Sequence, residues 1–323
     1  MQTFSFLKPV LLKPVLILVS CLFLMNVQSC KDPLQADLLV IGSWQSANGP
    51  SGGKIQCFAK NDSTLFAGTR SSGVYRSSDN GVSWQAVISN LIYLDISSLI
   101  VDGNLIFAGT SSGILRSSNN GISWQAINSG LTSLFVYSLA ISGNSIFAGT
   151  RGGIYRSTNN GTSWQKTTFG LTNSYVSSLA VSGNLIFAGT SDRGIYRSSD
   201  NGASWQAMSS GLTSSYVSSF AVSGNTIFAG ASGGVYRSSD NGASWQAMNS
   251  GLPNFGVSSL AIRENSIFAG TYGGGIYGSN DKGASWQAIN SGLPNLDIRS
   301  LAVNGNLLFA GTDGNGVFKV GIP

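Results

Sequence analysis

"RSSDNGASWQAM" stands at Arg197–Met208 and again, letter for letter, at Arg237–Met248. Near-copies begin at Arg76, Arg116 and Arg156. A phrase repeated this often belongs to architecture first, and its period decides the fold. Its tryptophan recurs at Trp44, Trp84, Trp124, Trp164, Trp205, Trp245 and Trp286, at spacings of 40, 40, 40, 41, 40 and 41 residues, and these are all the tryptophans of the chain. A second marker, the phenylalanine of F-A-G, recurs at Phe66, Phe107, Phe147, Phe187, Phe228, Phe268 and Phe309.

One unit, Val176–Thr213, divides into four short strands. Strand A is "VSSLAV" (Val176–Val181), B is "LIFAGT" (Leu185–Thr190), C is "GIYRS" (Gly194–Ser198) and D is "SWQAM" (Ser204–Met208). Gly-Asn and Asp-Asn-Gly turns separate A from B and C from D, as tight hairpins require. No stretch carries a sustained helical period. Four antiparallel strands at this period describe a β-propeller blade. The ends fix the number of blades. The last unit, Ile298–Val320, has strands A, B and C but no D, whereas "DLLVIGSWQSA" (Asp37–Ala47) has a D-like strand around Trp44 and no A to C before it. The sequence therefore predicts an all-β, seven-bladed propeller of four-stranded antiparallel blades, closed by an N-terminal strand that completes the last blade.

Composition fits that fold and excludes several functions. Apolar residues make up 42% of the 323 and charged residues only 10%, with 42 glycines to serve many tight turns. The net charge of +5 is small, and no Lys/Arg stripe of a nucleic-acid binder is present. With no histidine, Ser-His-Asp and Cys-His catalysis and His-ligated metal sites are excluded. The three cysteines are Cys21, Cys30 and Cys57, without a CxxC pair. Cys57, which replaces a serine of the repeat, reads as a small buried thiol.

The first thirty residues read as an address. Lys8 and Lys13 precede the apolar run Val15–Met25, which is too short for a membrane span and suits a signal peptide. "VQSC" (Val27–Cys30) resembles a bacterial lipobox, which implies cleavage before Cys30 and lipidation of its thiol. "CKD" is similar to a surface-export signal of bacterial lipoproteins. The expected organisation is a signal peptide at 1–29, a lipidated tether at 30–36 and one propeller at 37–323. The expected location is the cell envelope, lipid-anchored at the outer membrane with the CKD stretch pointing to its surface, or the medium if Cys30 stays free.

The motif S-x-D-x-G-x-S-W, seen at Ser77–Trp84 and in five later units, resembles the Asp-box, or BNR repeat, of sialidase-like propellers. The side chains of Asp79, Asp200, Asp240 and Asp281, and of Asn119 and Asn159 in two units, are expected to accept backbone N–H groups and close the turn. Tolerance of Asn fits a structural staple and not a catalytic carboxylate. Arg76, Arg116, Arg156, Arg197 and Arg237, on strand C just before the motif, are expected to screen its Asp.

Function is expected where the units differ. Length varies in the B–C loops, and the residue before strand A runs Lys54, Asp95, Phe135, Tyr175, Tyr216, Gly256 and Asp297 around the ring. B–C and D–A loops share one face, opposite the repeated turns. Variable loops on a rigid scaffold are where binding usually resides. The candidate ligand-binding set on that face is Arg70, Tyr93, Asp95, Arg151, Tyr175, Asp192, Arg193, Tyr216, Tyr272, Asp297 and Asp313. The resemblance also implies glycosidases. The Tyr–Glu nucleophile pair and arginine triad of sialidases cannot be assigned, since the one glutamate, Glu264, falls in an A–B turn on the other face. Xyloglucan-active relatives use two aspartates, for which Asp95 and Asp297 are the candidates; inverting hydrolysis would need them roughly 6.5–9.5 Å apart. Single-propeller photosystem II assembly factors offer a second resemblance, which implies a polypeptide ligand. The reading is a lipid-anchored, monomeric, non-catalytic scaffold that binds a protein segment or a glycan. It uses no cofactor or metal, binds no nucleic acid and meets the membrane only through its lipid. The alternative is a glycoside hydrolase using Asp95 and Asp297.

Overall fold

The computed structural model describes residues 41–50, 53–61, 64–87, 95–171 and 175–323. These residues form seven sheets of four antiparallel strands, the propeller that the repeat predicts, and no described residue is helical. The readings on residues 1–40, including Cys30, lie outside the described residues, as does Tyr93. Blades are numbered 1 to 7 from Lys54 onward.

Blade 4 shows how closely sequence and strands agree. Strands A to D are Val176–Ser182, Leu185–Thr190, Ile195–Ser198 and Gln206–Ala207. Strand B is as read, but D is two residues long where five were expected. The tryptophan leaves the ladder to serve the seam between blades. The Trp205 N–H donates to Phe169 O of blade 3 at 2.9 Å, and the N–H groups of Trp164, Trp245 and Trp286 make the same bond one blade back. The indoles of Trp164, Trp245 and Trp286 add bonds to Ile127 O, Met208 O and Met248 O at 2.7–2.8 Å. The outer strands of blades 3 to 6 are thus fastened to the preceding blade by main-chain bonds that lie outside their own sheet.

Closure follows the same rule. In blade 7, Ile298–Asn304, Leu307–Thr312 and Val317–Gly321 are completed by Gln45–Ser46, with Gln45 opposite Lys319 and Ser46 opposite Phe318. Trp44 is 3% exposed. Its N–H donates to Ser291 O at 2.8 Å and its indole to Ile289 O at 2.6 Å, the contacts made by the interior tryptophans.

The core lies in the seams. A strand-B phenylalanine packs with the next blade's strands, as Phe187 does with Val217, Ile227, Ala229 and Trp245. The motif glycine makes room for it. A Cβ on Gly202 would stand 2.5 Å from the Phe147 ring, and one on Gly242 the same distance from Phe187. Both glycines also hold φ near +82, which L side chains rarely adopt.

The strand-C arginines correct an expectation. Among the described residues none is ion-paired to the motif's Asp. Arg116 and Arg197 instead donate to Asn160 O and Asn241 O of the next blade's turn, at 2.9 and 2.8 Å. Arg76 and Arg237 meet the cross-strand Gln85 and Gln246, and Arg156 meets Ser145. The strand-C side chain points sideways along the seam, so a neighbouring carbonyl lies nearer than the carboxylate. Lys319 continues the pattern into blade 1, bonding Asn80 O at 3.2 Å. Blade 6 carries Gly278 at this place, and blade 7 after it has no C–D hairpin to receive a cation.

Inside the turn, Asp79 Oδ1 accepts from the Val82 and Ser83 N–H groups at 3.0 and 2.9 Å, three and four residues on, and from Ser77 Oγ at 2.7 Å. Ser83 Oγ donates to Oδ2. Asn119 keeps the backbone bond from Ser123 at 2.9 Å and turns its amide donor to Ser123 Oγ. In the Asp turns the serine hydroxyl bonds, then the serine N–H, hold Asp200 and Asp240 down at about 2, with Asp79 lower still. An unfolded aspartate titrates near about 3.9. Folded values below the unfolded one mean that this stabilisation is complete above about pH 4 and is lost as pH falls through about 2. A chain carrying both Asp200→Asn and Asp240→Asn should therefore lose less stability between those pH values than the wild type in denaturant titrations. Parallel pH slopes for the two proteins would remove the turns from the acid response.

Candidate functional site

The face of the B–C and D–A loops is built on a fixed base. A threonine stands at the end of strand B in five blades and one residue before it in blade 1, and its buried hydroxyl bonds the carbonyl that closes the B–C loop: Thr69 to Gly73 at 2.7 Å, Thr190 to Gly194 at 2.9 Å, Thr271 to Gly275 at 2.8 Å. Loops of different length thus leave the strand ends in place. Blade 5 has Ala231 instead.

Strand A contributes a second device. In every blade its register against strand B shifts near its start, after the first residue in six blades and after the second, Ile55, in blade 1, a β-bulge that re-aims one side chain. In four blades that residue is a serine that staples two blades. Ser177 Oγ bonds Gly189 O at 3.1 Å and Val217 O of the next blade at 2.6 Å; Ser97, Ser218 and Ser258 do likewise. In the other three blades the residue is Gln56, Tyr137 or Arg299. One residue further on, Ser300 Oγ bonds Ile55 O at 3.0 Å, and Cys57 holds the equivalent place. Burial pushes the Cys57 thiol up to about 12, so it stays protonated.

Arg299 organises one side of the face. Its guanidinium pairs with Asp297 at 3.2 Å and with both Nε and Nη2 on Asp313, and stacks 5.2 Å from the Tyr272 ring centre. Lys54 reaches Asp313 from blade 1 at 2.7 Å. These two cations outweigh burial and hold the Asp313 carboxyl below its ordinary range. Burial, then the neighbouring Tyr216 hydroxyl, raises the Tyr272 phenol. Two acids and two bases cancel here, although Asp297 Oδ1 is buried without a partner among the described residues. Next in the ring, Arg70 and Asp95 pair at 3.6 Å, and Ser71 Oγ donates to Asp95.

The opposite side is aromatic. Arg151 Nε donates to Tyr175 Oη at 3.0 Å, and its guanidinium lies 5.2 Å from the Tyr175 ring and 5.9 Å from that of Phe135. The Tyr175 contact raises its already high pKa. Among the described residues Arg151 has no carboxylate partner. Phe135 is 46% exposed, Tyr175 42% and Tyr137 37%.

Of the residues expected on this face, the structure joins Arg70 to Asp95, Arg151 to Tyr175, Tyr216 to Tyr272, and Asp297 to Asp313 through Arg299. Asp192 pairs with Arg193 at 3.6 Å and accepts from the adjacent Ser191 Oγ at 3.4 Å, at an exposed loop tip. Among the described residues Asp95 and Asp297 meet different arginines and share no bonding partner. Arg299 and Tyr137 were not anticipated. Their signal was present: four units carry serine at the second strand-A position and these two do not. No group of three metal-binding side chains occurs among the described residues.

Comparisons place this architecture among known proteins. The model of the DUF6242 beta propeller domain matches residues 98–210 and 178–315. No curated protein matches in sequence. The extracellular domain of BT4673 from B. thetaiotaomicron is similar with a TM-score of 0.71 at 18% identity, covering 86% of this chain, which spans 39% of that one. YCF48 bound to D1 peptide gives a TM-score of 0.70 at 16% identity, covering 87% of this chain and 97% of that one. The GH74 enzyme of Niastella koreensis gives 0.62 at 18% identity, covering 84% and 43%. Identities this low speak for the fold alone. The family matches together span 98–315, more than half of the sequence, and the chain belongs to the DUF6242 beta propeller domain family.

Proposed function

We propose that this propeller is a non-catalytic binding scaffold of the cell envelope that recognises a protein segment or a glycan on its B–C/D–A face. The observation that carries the reading is Arg151: an arginine braced between two half-exposed rings, with no carboxylate of its own, beside further exposed aromatics. A guanidinium held this way offers its donors to an anionic group and its neighbours' rings to a flat apolar surface. The Lys54, Arg299, Asp297 and Asp313 cluster is internally neutral and suits orientation of a polar ligand. The turn geometry at Asp79 and its counterparts supports the Asp-box reading and a structural role for those residues. A hydrolase would have to free Asp95 and Asp297 from the arginines they already hold. Lipidation at Cys30 is the proposed anchor.

The test uses a glycan array and pull-downs from outer-membrane extract. Arg151→Ala and Tyr175→Ala should each weaken capture about tenfold or more, as loss of a charge-assisted contact does, with melting temperature unchanged. Asp79→Ala should lower the melting temperature and spare capture. Fractionating the same cells should show Cys30→Ser in the soluble fraction. Capture indifferent to both face variants overturns the proposal, as does hydrolysis of sialosides or β-glucans that disappears in Asp95→Asn and Asp297→Asn.

A further inference from the structure

The seam between blades 5 and 6 departs from the others on the face of the repeated turns, away from the loops discussed above. Five blades carry glycine in the A–B turn, from Gly103 to Gly305, at φ between +53° and +59°. Blade 6 carries Glu264 there at φ +53°. In the C–D turn five blades carry asparagine at φ 54–58°, and blade 6 carries Lys282 at φ 59°. Two charged residues of opposite sign therefore occupy left-handed backbone positions that other blades give to Gly and Asn, the residues that tolerate them best. Local strain of this kind persists where something else is gained.

The seam is also looser. The motif glycine of blades 1, 4 and 5 has the preceding blade's phenylalanine 2.5 Å from where its Cβ would be, whereas Gly283 has Phe228 at 3.5 Å. Arg237 does not tie this seam as Arg197 ties the one before it; it bonds Gln246 at 3.4 Å, and the turn it would reach presents the Lys282 ammonium. A cavity of about 110 Å³ results, with Phe228, Ile262 and Ile267 as its apolar lining and Ser223 and Thr226 supplying hydroxyls. Glu264 and Lys282 both line it. Among the described residues neither side chain makes an ion pair or a hydrogen bond, so the two charges flank the cavity without meeting.

We propose that this cavity binds a small zwitterion, a free α-amino acid with an apolar side chain. Glu264 receives the α-ammonium, Lys282 receives the α-carboxylate, and the side chain rests on Phe228, Ile262 and Ile267. An apolar cavity of about 150 Å³ holds a benzene ring, so this one is of a size for a branched aliphatic group. The charges supply what the apolar lining lacks, one contact for each end of the zwitterion. This site is independent of the loop face.

The experiment is calorimetric titration of the full chain with L-leucine, alongside isoamylamine and 4-methylpentanoate, which each keep one charge. Glu264→Gly and Lys282→Asn install the repeat's own residues and should fold at least as well, with melting temperatures at or above wild type. Saturable leucine binding that falls about tenfold or more in each variant, and for each half-ligand, supports the site. Absence of saturable binding by leucine, valine and phenylalanine in the wild type overturns it. Undiminished binding in either variant, or equal binding of a half-ligand, overturns the zwitterion assignment.

Discussion

Removing the chain up to and including Ala47 should cost the ring more than any point substitution outside the seams. Trp44 and Ala47 are 3% and 1% exposed, and Gln45–Ser46 cover the outer edge of Val317–Gly321. Truncating a buried tryptophan to alanine costs about 3–5 kcal/mol. The truncated chain also loses the Trp44 bonds to Ser291 O and Ile289 O. It further leaves a strand edge open, which is a template for pairing with a second chain. Scanning calorimetry should show Trp44→Ala melting about 10 °C below wild type or more, given a few degrees for each kcal/mol in a domain of this size. Trp164→Ala, equally buried and bonded the same way, should match it. The truncation alone should add concentration-dependent association in size-exclusion chromatography. A truncated protein that melts like the wild type and elutes as one species would show that the N-terminal strand does not hold the ring shut.

That closure was legible because a tryptophan in register is a strong mark. Blade number, strand B to the residue, and the face on which loops vary were legible for the same reason: repeats convert one local reading into seven. Strand D was not. Its two-residue length depends on Trp205 donating to Phe169 of another blade, and a pattern confined to one unit carries no information on contacts between units. The strand-C arginines were misread on the same ground, since the carbonyl that Arg197 meets is 44 residues away in sequence. On the loop face, single residues were recognisable by charge and ring, but pairings were not. Arg299 is not legible as a site residue because a β-bulge brings a strand residue to the loop face, where the variation between units marks only loop residues. The Glu264–Lys282 seam needed the backbone itself, for nothing in the letters E and K reports a left-handed φ.

The S-G-L phrase after strand D offers the sharpest test of how the seams are made. Gly211 holds φ +82°, and a Cβ there would lie 2.1 Å from the carbonyl oxygen of Trp245. Gly130 and Gly170 face Trp164 O and Trp205 O at the same distance. A backbone oxygen cannot rotate away as a side chain would. Accommodating Gly211→Ala means displacing Trp245, whose N–H and indole are both bonded to blade 4 at 2.8 Å. The left-handed conformation alone costs an alanine about 1–2 kcal/mol, and a steric intrusion into a packed region adds about 1–3. Gly224→Ala separates the two contributions, because Gly224 holds φ +57° with nothing within 4 Å. In urea titrations Gly224→Ala should lose about 1 kcal/mol and Gly211→Ala about 3 or more. The second variant should also show altered tryptophan fluorescence in the folded state as the Trp245 indole leaves Met208 O. Equal losses for the two would mean that the glycines are kept only for their backbone freedom, and that the close approach of Trp245 to the preceding blade contributes nothing to holding the seven blades together.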